Sequence, residues 1–281
     1  MKRLLISAVA VLVLGTALYG QGKVTTRSYR FSDFSDKVTK VVMSGNEIID
    51  SALRQEVVTR WSASAFEFCT AEEFDKLKTS SDYYFLLTVA GKFKGEEEPG
   101  IVFLTLVKGG TEGQDGVNQL TEVLSLPLGT IPAGTGREVV FLPALVEGIQ
   151  AFALQAMESE KAAYRRADWF NGNYARDGRT KRICLSVDDL APQVTEADRA
   201  KYLDEDILLC DEDEADGIFT DGAYNTLVGY VVAPESGEGY CYKMLFSADT
   251  CTLYYIRRHK MGTKAGAGFL PEDLKRIAKV R

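Results

Sequence analysis

The chain has 281 residues, with 33 lysines and arginines against 40 aspartates and glutamates and a formal charge of −7. That acidic balance argues against nucleic-acid binding, which depends on cationic neutralisation of phosphate, and against generic adhesion to anionic lipid. At 46% hydrophobic and 26% charged, the composition suits one large globular domain or two modest ones.

In chain order, Met1-Lys2-Arg3 is a positive start, residues 4–14 are an uncharged apolar run, and residues 15–20 supply small residues and a helix break before Gln21. This order predicts a cleavable secretory signal peptide over residues 1–20. An uncleaved anchor is the rival reading, but the run is shorter than the roughly 20 residues a spanning helix needs. The first cysteine is Cys69, so no lipid-anchored cysteine is expected at the mature end. The longest later apolar stretch, residues 141–157, is interrupted by Pro143, Glu147, Gly148 and Gln150. The expected product is periplasmic or secreted, with no integral membrane segment.

The remainder repeats itself. At an offset of 141 residues, Thr39-Lys40 falls on Thr180-Lys181, Cys69 on Cys210, Glu73 on Glu214, and Leu86 on Leu227, without a gap. At an offset of 128, Gly134-Thr135 falls on Gly262-Thr263 and Phe141-Leu142-Pro143 on Phe269-Leu270-Pro271. Two blocks in the same order indicate two copies of one unit. The change of offset predicts a longer insert in the first copy near residues 108–117. The expected organisation is a first repeat with an N-terminal edge strand (21–150, the edge strand at 24–31), a helix extension and linker (151–179), and a second repeat (180–281).

Each copy reads as β-α-β-α-β-β-β-α. Strands are predicted at 39–44 and 180–186. A helix follows at 46–61, capped by Asn46 and with apolar residues at helical spacing. Its counterpart is broken by Pro192 and starts regularly at Thr195. Strands at 65–69 and 207–210 lead into short helices, where Thr70 with Glu73 and Asp211 with Glu214 have capping-box spacing. Strands then follow at 83–89, 101–107 and 120–128, and at 226–232, 240–246 and 252–257. A closing helix starts at each Phe-Leu-Pro, proline being tolerated in the first turn. In the first copy it is expected to run on to about Arg166. The fold class is therefore α+β (mixed α/β): two tandem units, each a mixed sheet with helices packed on it.

Candidate chemistry is sparse. Cysteines 69, 184, 210, 241 and 251 are odd in number and form no CxxC, and buried free thiols are expected. A turn at 247–250 would set Phe246 opposite Cys251 and Ile256 opposite Cys241, keeping those two cysteines apart. His259, the only histidine, is expected to be an exposed strand-end residue rather than a catalytic base. The acidic run 204–216 fits helix capping better than a calcium loop, because Ala215 breaks the ligand spacing. No metal or cofactor is expected. The candidate ligand-binding residues are Gly134, Thr135 and Arg137, with Gly262, Thr263 and Lys264. These Gly-rich loops lead into helices whose free N–H groups could hold an anion, although turns that need glycine for their backbone angles read as well. Residues 95–100 (GEEEPG) read as a solvated hairpin loop. The aromatics of the 168–179 linker read as staples to a lobe.

The segments TKVVMSGNEIIDSALRQE, FEFCTAEEFDKL, DYYFLLTV, FLPAL and AGAGFLPEDLKRIA resemble a family of uncharacterised exported proteins of Gram-negative bacteria across nearly the whole mature chain. The resemblance implies a periplasmic or secreted setting and brings no activity. In element order alone, each repeat also resembles the TolB amino-terminal domain of envelope assembly. The expected function is a non-enzymatic envelope protein that binds a partner or serves as a scaffold. A small-anion or small-molecule binder using the Gly-Thr loops or the inter-lobe cleft is the alternative, and a carboxylate-based hydrolase the third.

Overall fold

The computed structural model describes residues 23–25, 27–93, 96–132 and 136–280; the expected signal peptide lies outside them. The first lobe contains β1 (Lys23–Val24), β2 (Val38–Val42), α1 (Glu47–Arg60), β3 (Phe66–Cys69), α2 (Ala71–Leu77), β4 (Tyr83–Gly91), β5 (Ile101–Lys108), β6 (Thr121–Thr130), α3 (Arg137–Val140) and α4 (Leu142–Glu158). A bridge of α5 (Glu160–Arg165) and α6 (Asn171–Asp177) follows. The second lobe contains β7 (Arg182–Ser186), α7 (Glu196–Tyr202), β8 (Ile207–Cys210), α8 (Glu212–Thr220), β9 (Thr226–Val232), β10 (Tyr240–Ser247), β11 (Leu253–Lys260) and α9 (Pro271–Val280).

The architecture is mixed α+β with one mixed sheet per lobe. The strand orders are β1-β6-β5-β4-β2-β3 and β11-β10-β9-β7-β8. Apart from β1 they are the same sheet twice. In each, two parallel pairings around the first long strand are followed by two antiparallel ones. Strand register corrects the gapless alignment. Cys69 and Cys210 do correspond, but they stand opposite Val42 and Ser186, so Val42 matches Ser186 and not Ile183. Likewise Tyr84, opposite Thr39, matches Leu227, opposite Ile183, so Leu86 does not. The crossover between the first two strands is shorter in the second lobe, where α7 replaces the longer α1, and the next crossover is longer.

Local signals place the helices. Asn46 accepts the N–H groups of Ile48 and Ile49. Thr70–Glu73 and Thr195–Asp198 form reciprocal capping boxes, and Asp211 accepts the Glu214 N–H. The expected continuous helix to Arg166 instead breaks at Ser159, whose extended backbone lets its side chain cap α5. The N-terminal edge strand is only two residues, paired parallel to β6, because 3-10 turns from Ser28 onward drop Phe31 and Phe34 into the core. The insert in the first copy is two 3-10 turns between β5 and β6.

One core joins the lobes. Helix α4 packs on α1, β5 and β6 and also reaches β11. Phe141, at its start, stacks on Tyr230 of the second lobe at 4.4 Å, and the Tyr230 hydroxyl donates to the Leu128 carbonyl at 2.6 Å. The bridge covers the free edge of β11: Asn171 accepts the Ile256 N–H (2.9 Å) and donates to the Ile256 carbonyl (3.1 Å), as a neighbouring strand would. Phe170 and Tyr174 are buried beside it, as staples.

Candidate functional site

Gly134 and Thr135 lie outside the described residues. Arg137 opens α3 but is buried and faces the second lobe. Its guanidinium meets Asp189 (3.1 Å), Asp216 (3.0 Å) and Glu212 (3.3 Å) and donates to the Gly229 carbonyl (3.2 Å). The rings of Phe141 and Tyr230 lie on its face. Arg137 therefore locks one lobe to the other. One cation serves three carboxylates. Burial pushes Asp189 up to about 6 against the pull of Arg137, and burial also raises Glu212 and Asp216. The acidic run thus does more than cap α8. Two of its members reach across to the first lobe, which sequence spacing could not reveal.

Gly262, Thr263 and Lys264 form an exposed tight turn in which Gly262 and Ala265 exchange backbone hydrogen bonds (3.0 and 3.1 Å). The N–H groups that follow are engaged inside the fold. Gly266 donates to Gln193 Oε1, Gly268 to Cys241 Sγ, Phe269 to the Asp189 carbonyl and Leu270 to Asp273. Gly268 sits at φ +111°, and a Cβ there would run into the backbone of residues 189–191, so only glycine fits. Four backbone donors between this turn and α9 are therefore spent on acceptors within the fold.

Beside this turn lies a buried polar cluster. Lys243 Nζ donates to Asp273 Oδ2 (2.7 Å) and to His259 Nδ1 (2.8 Å), and the Tyr255 hydroxyl donates to Asp273 Oδ1 (2.8 Å). Because an ammonium only donates, Nδ1 must accept. The ring proton is then on Nε2, which donates to the Gly266 carbonyl at 2.8 Å. Burial and the Lys243 charge hold His259 below its ordinary range. The sole histidine is therefore half-buried and bonded, where sequence predicted exposure. Strand register shows what the cluster replaced. Lys243 and Tyr255 occupy the positions of Leu104 and Leu124, and Asp273 that of Leu145, all buried in the first lobe. The predicted opposition of Phe246 and Cys251 also fails. A bulge sets Phe246 opposite Leu253 and Cys241 opposite His259.

An open cleft lies among the described residues between the lobes. The β4–β5 and β9–β10 hairpin loops hold the same place in the two sheets, and the residues beside them meet. Phe93 packs on Tyr240 at 4.9 Å and Phe103 on Tyr242 at 5.6 Å. The two loops line this cleft of about 330 Å³, with Glu96, Glu97 and Glu98 from one and Pro234, Glu235 and Glu238 from the other. Glu96 turns inward: Oε2 accepts the Phe93 N–H (2.9 Å) and, among the described residues, buried Oε1 has no hydrogen-bond partner. Glu97, Glu98, Glu235 and Glu238 are exposed. The loop expected to be merely solvated is thus one wall of an inter-lobe cleft. Among the described residues, every charged side chain lining it is acidic. In comparisons with known proteins, the chain matches no family model, no curated protein and no solved structure.

Proposed function

We propose that this is an exported, non-enzymatic envelope protein whose two lobes hold a basic segment of a partner protein in the carboxylate-lined cleft. The observation that carries this reading is the convergence of equivalent loops from both copies, with five glutamates around one cleft. Charge complementarity at such a rim favours encounter with a cationic chain and rejects anions. Four of the five carboxylates are solvated, which suits electrostatic attraction better than the desolvated acid–base chemistry of a hydrolase. The export setting rests on the signal-like first 20 residues and on the family resemblance.

Fluorescence anisotropy with a labelled Lys/Arg-rich peptide tests the proposal. The variant E97Q/E98Q/E235Q/E238Q should bind at least about fourfold more weakly, since four exposed pairs at roughly 0.2–1 kcal/mol each sum to about 0.8 kcal/mol or more. A control with the same charge change elsewhere, E47Q/E72Q/D75N/E196Q, should bind as the wild type does. Equal losses in the two variants would reduce the effect to net charge and overturn the proposal.

A further inference from the structure

Strands β7 and β8 bring two cysteines together. Cys184 Sγ and Cys210 Sγ are 2.8 Å apart and both residues are buried. That separation is well inside the ~3.5–4.0 Å at which even carbon atoms rest without bonding. A disulfide needs about 2.05 Å, so closure requires a movement of less than about 1 Å between the sulfurs. Cys184 stands opposite Leu208 and Cys210 opposite Ser186, so the two lie diagonally on one face of the sheet. The duplication sharpens the point. Cys69 holds the place of Cys210 in the first lobe, but the place of Cys184 is held there by Lys40, which pairs with Glu67. The second copy alone combines the two cysteines. Of the others, Cys241 accepts the Gly268 N–H at 3.2 Å.

We propose that Cys184 and Cys210 form a structural disulfide that ties the edge strand β8 to β7 at the entrance to α8. The oxidant is a small or protein disulfide met by the folding chain. The Cys210 thiolate attacks one of its sulfurs, forming a mixed disulfide and expelling one thiolate. The Cys184 thiolate then attacks the Cys210 sulfur and expels the second. The two protons lost by the cysteines pass to the two expelled thiolates, so the oxidant is reduced to two thiols as the protein is oxidised to one disulfide. Burial raises both thiols, which suits closure during folding rather than on the finished surface.

The test is refolding of the purified protein in a buffer of oxidised and reduced glutathione, then denaturation, alkylation and mass measurement. Three alkylated cysteines are expected, against five after prior reduction with dithiothreitol, and peptide mapping should join residues 184 and 210. The variant C69S/C241S/C251S should keep the bond, and C210S should show four alkylated cysteines under both conditions. Oxidation should raise the melting temperature of the wild type and leave that of C210S unchanged. Five alkylated cysteines after oxidation, or a bond between any other pair, would overturn the proposal.

Discussion

Replacing Asp273 with alanine leaves Lys243 charged, 1% exposed and without its carboxylate. It also strips the acceptor from the Tyr255 hydroxyl and from the Leu270 N–H. Breaking a buried pair from one side costs about 3–5 kcal/mol, mostly from the stranded charge. The first lobe supplies the contrasting experiment, because leucines stand at the equivalent places. In K243L/Y255F/D273L the charge and the hydroxyl leave together. The ring volume is kept, and the losses are the acceptor of the Leu270 N–H and the donor to His259 Nδ1, about 1 kcal/mol each. The triple variant should therefore lie within about 2 kcal/mol of the wild type, although it changes more residues than the single one. Urea unfolding followed by tryptophan fluorescence and far-ultraviolet circular dichroism gives both values. A triple variant as unstable as Asp273→Ala would refute the reasoning, and so would a cost below about 1 kcal/mol for the single substitution.

Asp189 makes a pH prediction. With a folded value of about 6 against roughly 3.9 unfolded, the folded state holds a proton that the unfolded chain has lost between those limits. Its contribution is full below about pH 4 and is lost as the pH rises through 6. Relative to Asp189→Asn, the wild type should lose about 2–3 kcal/mol between pH 4 and 7, and parallel stability curves would contradict this. Asn171→Ala should cost about 1–3 kcal/mol by exposing the edge of β11. Faster hydrogen exchange at Ile256 in that variant is the direct readout, and unchanged protection there would remove the stapling role.

Local chemistry was legible in the sequence. Asn46 and Thr70 cap within three residues of themselves, so spacing alone placed α1 and α2, while Pro192 marked the break before α7. The matching strand order of the two sheets was foreshadowed too, because Cys69 and Cys210, and Phe141 and Phe269, keep their types. Long-range partners were not. The charge on Arg137 suggested a loop cation, and only the packing of the lobes shows it between Asp189, Glu212 and Asp216. His259 stood in a basic run that suggested exposure, yet its partners Lys243 and Gly266 come from a neighbouring strand and a returning loop. Comparing the copies position by position would have flagged Lys243 and Asp273 as polar where the first copy is leucine. The crossovers differ in length, however, so the offset of 141 hid the match of Lys243 with Leu104, although the offset of 128 already set Asp273 on Leu145.

If the β4–β5 and β9–β10 hairpin loops form one basic-segment site between the lobes, hydrogen–deuterium exchange with and without the Lys/Arg-rich peptide will read it out. Protection should appear together in residues 96–100 and 233–239, one loop from each copy. Protection confined to one loop, or centred on the acidic start of α8 at residues 211–216, would contradict it.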